Sequence, residues 1–234
     1  MKKMVSAFAV GVSVSLFAGL AAAQDDLAEP PAGETEAAVV EDKAETDVST
    51  GDLAMDEGKV KLGLRLGYGI PMGDATDGSA LSDGFSGMIP LWVDAGYMVT
   101  PNILVGAYFQ YGIASIADEA CGGGDCSGSD VRFGVQGQYH FSPGQNIQPW
   151  AGLGVGYEIA SVSGDVDASL KGFEFLNLQG GADFKIANAF VVGPFASFSL
   201  GQYSTASSGD VSADIENTAI HQWLTIGAKG TFSL

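Results

Sequence analysis

Residues 59–70 read KVKLGLRLGYGI: Val60, Leu62, Leu64, Leu66, Tyr68 and Ile70 alternate with Lys59, Lys61, Gly63, Arg65, Gly67 and Gly69. A β-strand sends successive side chains to opposite faces, so this segment has one wholly apolar face and one face of cations and glycines. In a soluble sandwich the apolar face meets a second sheet. In a barrel that crosses a membrane it meets lipid, and the polar face turns inward. Alternation alone does not separate the two, and the surrounding sequence has to.

Seven further runs repeat the pattern: Gly87 to Val99, Ile103 to Ile116, Asp130 to Phe141, Gln148 to Ser161, Phe173 to Ile186, Phe190 to Gln202 and Ile220 to Leu234. Their connectors alternate in length. Thr100 to Asn102, Ser142 to Ile147 and Ala187 to Ala189 are short and carry Pro, Gly or Asn, whereas Pro71 to Ser86, Ala117 to Ser129, Val162 to Gly172 and Tyr203 to Ala219 are long. Short turns at one end and long loops at the other are the pattern of an up-and-down membrane barrel. Aromatic residues gather near strand ends, with Tyr97, Tyr139, Phe141, Phe184, Phe190 and Phe232 at the short-turn end and Tyr68, Tyr111, Phe133 and Tyr157 toward the other. Amphipathic rings favour the headgroup boundary, so two girdles are expected. Pro90 and Pro194 each call for a bulge or a later strand start, because proline cannot donate to a ladder.

The N-terminus gives the compartment. Met1, Lys2 and Lys3 precede an apolar stretch from Val5 to Leu20 that ends in Ala21, Ala22 and Ala23, which is the layout of a secretory signal peptide over residues 1–23. Residues 24–58 hold twelve acidic residues against the single Lys43, which accounts for most of the formal net charge of −18. Such a segment buries too little apolar surface to offset its ordering entropy, so it is read as a disordered periplasmic tail. With 10 Lys and Arg against 28 Asp and Glu, nucleic acid is excluded as a partner. The expectation is an all-β chain in which an eight-stranded antiparallel up-and-down transmembrane β-barrel occupies residues 59–234, behind a disordered acidic segment.

The signal peptide, the eight alternating runs, the 34 glycines and the apolar last strand resemble the small outer-membrane β-barrel domain family, the OmpA and OmpX kind. The resemblance covers Lys59 to Leu234 and is one of pattern. It implies an outer-membrane location in a Gram-negative cell, contact with membrane lipid and lipopolysaccharide, and insertion by the barrel assembly machinery. That machinery reads a terminal aromatic residue in the family, whereas this chain places Phe232 two positions before its terminal Leu234. The acidic segment stands where relatives carry a peptidoglycan-binding domain, so wall anchoring is not carried over.

An eight-stranded interior is only wide enough for side chains, so the inward polar residues must pair with one another. Arg65, Asp94, Arg132, Glu158, Asp183, Lys185 and Lys229 are the expected lumen charge network. Turning the chain over Ser142 to Gln148 with Phe141 opposite Pro149 places Arg132 opposite Glu158. The reading is a non-enzymatic, monomeric barrel with a plugged lumen and four acidic loops, structural or surface-interacting, with an unidentified extracellular ligand. It carries no cofactor, metal or catalytic motif. A small channel or transporter for ions or apolar solutes, a lipid A modifying enzyme, and a soluble secreted sandwich or lipocalin-like binder are the alternatives. Neither His140 nor His221 has a serine and a carboxylate in a recognisable local arrangement, which argues against the enzyme, and His221 is the first residue to test for it.

Cys121 and Cys126 bracket Gly122, Gly123, Gly124 and Asp125 in the second long loop. Exported thiols meet an oxidising compartment, and a glycine-rich spacer bends easily, so a loop disulfide is expected. Non-reducing mass analysis should show the two joined, with little loss of barrel stability on reduction because the closed loop is short. Free thiols in freshly exported protein would refute the pairing.

Overall fold

The computed structural model describes residues 58–117, 126–164, 167–209 and 211–234. The expected signal peptide, the acidic segment to residue 57 and Cys121 lie outside the described residues. Eight long strands make the fold: β1 Val60–Thr76, β2 Phe85–Met98, β3 Ile103–Ile116, β4 Ser127–His140, β5 Ile147–Ser163, β6 Ala168–Ala187, β7 Phe190–Ser208 and β8 Ile220–Ser233. Each pairs antiparallel with its neighbours in sequence, and β1 closes on β8 from Lys61 opposite Ser233 to Gly73 opposite His221. Closure leaves no edge, which lipid requires because it offers no hydrogen bonds to backbone N–H and C=O groups.

The alternation of residues 59–70 settles which face is which. Leu62, Leu64 and Leu66 stand exposed on the outside, while Lys61 and Arg65 are buried. The exposed belt continues through Val93, Val105, Val135, Leu153 and Ile226 around the barrel. A soluble protein does not surround itself with such a surface; a transmembrane barrel does. Tyr97, Tyr139, Phe141 and Phe232 ring one end of the belt, and Tyr68, Tyr111 and Phe133 the other, all exposed outward.

The short turns follow local chemistry. The Thr100 hydroxyl accepts from the backbone N–H groups of Asn102 and Ile103, at 3.3 and 3.0 Å. In the turn between β4 and β5, Gly144 takes a φ of +79°, open to glycine at no steric cost. At the other end the long connectors are shorter than the sequence suggests, because strands run on past the aromatic ring. β5, β6 and β7 span 17, 20 and 19 residues against 14 for β2, and Val211–Asp214 folds back onto β7. Pairing is the simplest way for those segments to satisfy their own backbone.

Neither proline makes a bulge or a late start. Pro90 keeps its register opposite Gly112, and the ladder between β1 and β2 is interrupted beside it, with no partners recorded between Leu66–Leu91 and Gly69–Met88. Met98 N–H donates to the carbonyl of Lys59, just before β1, so the even-numbered residues of β2 direct their backbone toward β1, and the missing proline N–H falls in that gap. Pro194 pairs with Ala228, and its missing N–H coincides with a gap on the β6 side.

If the belt lies in lipid, Leu64→Arg near its middle should cost about 2–4 kcal/mol in urea unfolding from lipid vesicles. Val211→Arg, beyond the rings, should change stability by less than about 0.5 kcal/mol. Equal costs would place the belt in water.

Candidate functional site

The inward faces of all eight strands meet in a lumen that holds two ionic nodes. The node toward the short turns is charge-balanced. Arg65 grips Asp94 with two parallel bonds, Nε to Oδ2 at 2.6 Å and Nη2 to Oδ1 at 2.9 Å, the bidentate fit that planar guanidinium allows. Its remaining N–H groups reach Gln179 at 2.8 Å and Gln136 at 3.3 Å, and Gln136 donates back to Asp94 at 2.7 Å. The guanidinium lies 4.4 Å from the centre of the Trp92 ring. Beside it, Lys229 Nζ sits 3.5 Å from Asp183 and 4.0 Å from the Trp150 ring centre, and the Trp150 indole donates to Asp183 at 3.2 Å. Trp92, Tyr108, Trp150 and Phe195 form an apolar cluster around these charges.

The node toward the long connectors sets one cation against three carboxylates. Arg132 contacts Asp130 (Nε to Oδ2, 2.8 Å), Glu158 (Nη2 to Oε1, 3.4 Å) and Glu174 (Nη1 to Oε1, 3.7 Å), and Nη1 donates to Ser199 at 2.9 Å. The Asp130 contact is an ion pair without hydrogen-bond alignment, since Arg132 Nε has no aligned acceptor. Other side chains supply what a single guanidinium cannot. Gln110 serves Asp130 at 3.0 Å; Tyr203, Trp223 and His221 serve Glu158 at 2.6, 3.2 and 3.0 Å; Tyr108 and Asn177 serve Glu174. Hydrogen bonds to a carboxylate stabilise its charged form where water is absent.

Two backbone features make this node possible. The register slips by one residue between Glu174 and Leu176 on the β7 side, and correspondingly between Gly154 and Gly156 on the β5 side. This bulge leaves Phe175 outside and turns both Glu174 and Asn177 inward, so that Asn177 Nδ2 bonds Glu174 at 2.9 Å. Glycine then makes room. A Cβ on Gly156 would collide with Tyr108 Oη, and one on Gly201 would lie 2.7 Å from His221 Nε2.

Of the seven charges read from the sequence as a lumen network, Arg65, Asp94, Arg132, Glu158, Asp183 and Lys229 are buried and paired as described. They divide into two clusters. Lys185 is a correction: it follows the girdle residue Phe184, at a further irregularity of β6, and is exposed beside Lys59 and Lys61 at a polar recess on the short-turn rim. Water reaches it there, so it needs no ionic partner. The sequence reading missed Asp130, Glu174, Tyr108 and Tyr203 as members of the upper node. It also gave His221 no carboxylate, whereas the fold brings Glu158 to it from 63 residues away and stacks Tyr203 on its ring at 3.9 Å. The inward parity of these residues was a usable signal, except at Glu174, where the bulge reverses it.

No protein family matches the chain by sequence, and no curated protein matches it either. The fold is similar to solved membrane barrels. Neisserial surface protein A aligns with a TM-score of 0.49 at 13% identity, covering 74% of this chain and 98% of that one. Ail, the attachment invasion locus protein of Yersinia pestis, aligns at 0.44 and 15%, covering 75% and 99%. The outer membrane protein OprG from Pseudomonas aeruginosa aligns at 0.44 and 13%, covering 75% and 97%.

Arg132→Ala should destabilise by about 3–5 kcal/mol, because three buried carboxylates lose their cation. Glu158→Ala should cost less, since Arg132 keeps Asp130 and Glu174, and the double variant should cost less than the sum of the two. Urea unfolding in lipid measures all three, and strict additivity would refute the coupling.

Proposed function

We propose that this chain is a non-conducting, non-enzymatic outer-membrane barrel that works at the cell surface through its long-connector end. The observation that carries this reading is the state of the lumen. Both ionic nodes are almost wholly buried, and above the upper one Leu81, Phe85, Met88 and Trp223 pack into an apolar cluster. An ion crossing would have to part pairs whose separation in a dry interior costs several kcal/mol each. The chemistry of the lumen is spent on closing it, and function moves to the ends.

The enzyme alternative gains a carboxylate at His221 but, among the described residues, no free nucleophile beside it. The His221 Nδ1 atom has no hydrogen-bond partner among the described residues, and Ser199, a serine hydroxyl at this node, is bonded to Arg132. The ring is 1% exposed, so a substrate has no approach to it. A catalytic triad needs base, orienting acid and nucleophile in one hydrogen-bonded chain, with the nucleophile open to substrate. Monomeric insertion, contact with lipopolysaccharide and handling by the barrel assembly machinery belong to the same proposal, as does a periplasmic side for the short turns.

Purified protein in a planar lipid bilayer should give no stepwise conductance. A steady open channel would overturn the plugged-lumen reading. Protease added to intact cells should cut within residues 203–219, and protection of that segment would invert the orientation.

A further inference from the structure

The long-connector end holds a partly open cavity of about 640 Å³. Its walls come from segments far apart in sequence: Ala75 of β1, Leu81 of the helical turn Leu81–Gly84, Phe85 of β2, Ala160 and Val162 of β5, and Leu170 of β6. Four of these six, Leu81, Phe85, Ala75 and Ala160, belong to the buried apolar cluster, and Val162 and Leu170 pack against it. The volume falls in the range of small-molecule sites, about 300–1,000 Å³.

Position and charge narrow the occupant. Ala75 lies seven residues beyond the girdle residue Tyr68 on β1, and Ala160 three beyond Tyr157 on β5. At about 3.3 Å of rise per residue the cavity stands past the aromatic ring, where apolar lining is not needed for membrane insertion. Among the described lining residues Asp83 alone is charged, and its carboxylate accepts from the Ala80 N–H at 3.1 Å. None of the described lining residues is a cation that could hold an anionic headgroup, so a fatty acid or a lipid phosphate finds no ion-pair partner among them. The floor is closed, because Phe85 rests against Trp223, with ring centres 6.2 Å apart, and Trp223 donates to the Glu158 node. The cavity is a dead end and not the entrance of a path.

We propose that this cavity binds a small, uncharged apolar molecule that arrives from the aqueous side of the long connectors. The proposal rests on the surface-facing reading only for the side from which the ligand comes. The lining is mainly alanine, leucine, valine and phenylalanine, with serine and threonine hydroxyls and the carboxylate of Asp83 among them, so burial supplies most of the binding and selection is by size and lack of charge.

The test uses the full barrel, methyl-labelled on Ala, Leu and Val, in phospholipid nanodiscs that leave both ends open to solution. Titration with p-xylene should shift the Leu81, Val162 and Leu170 methyl signals saturably, while lipid-facing Leu64 and Val93 move only in proportion to xylene dissolved in the bilayer. Ala206→Trp and Ala168→Trp, both on the cavity wall, should each weaken the saturable binding at least tenfold while keeping heat-modifiable gel mobility. Lipopolysaccharide added to the nanodiscs without xylene should leave the cavity methyls unmoved. Three results would overturn the proposal: equal, unsaturable shifts at both sets of methyls, saturable binding that survives both tryptophans, or occupation by lipopolysaccharide alone. Because the nanodisc exposes both ends, none of these outcomes depends on membrane orientation or on conductance.

Discussion

Lipid offers no hydrogen bonds, and from that single constraint the rest of the molecule follows. Every N–H and C=O within the membrane must be satisfied by the chain itself, so the strands close and β1 meets β8. Eight strands close into a tube too narrow for bulk water, so the charges turned inward pair with one another. The two ionic nodes are the solution. One balances two cations with two carboxylates, and the other surrounds a single guanidinium with three carboxylates and the side chains that bond to them.

The unequal node is informative about how buried charge is tolerated. Arg132 cannot serve three carboxylates with good geometry, and its contacts lengthen from 2.8 Å at Asp130 to 3.7 Å at Glu174. Glu174 is therefore held mainly by Tyr108 and Asn177, and each reaches it through a departure from regular strand structure. Asn177 arrives through the bulge at Phe175. Tyr108 extends across glycines at which any larger residue would collide. The bulge and the glycines thus do for Glu174 what a second arginine would otherwise have to do.

Much of this was legible because period two is the strongest signal a sequence carries. The outer belt, the girdles and the inward set of Arg65, Asp94, Arg132, Glu158, Asp183 and Lys229 all follow from parity once a strand is recognised. The register of β4 on β5 was legible as well, since a short turn leaves one pairing open, and the fold indeed sets Arg132 opposite Glu158. Parity fails where a residue is inserted, so Glu174 and Asn177, three apart, could not both be read as inward. Lys185 was misread for the converse reason: its parity is inward, but the packed lumen has ended there. The strand extensions beyond the girdle were hidden because Ala168, Ser169, Ala206 and Ser207 resemble loop in composition. What orders them is pairing with one another.

Those extensions link the two ends of the argument. The node around Arg132 is buried, and the side facing the long connectors is the side from which water would enter. Phe85, Met88, Tyr203 and Trp223 form the roof, and Tyr203 and Trp223 also donate directly to Glu158. The same side chains are at once the seal over the charges and the base of the apolar mouth. A molecule seated in that mouth would bind the folded barrel alone and add to its stability by mass action. It would also place further apolar surface between water and Glu158. Sealing the lumen and building an apolar surface at the mouth are therefore one structural requirement, met by one set of residues.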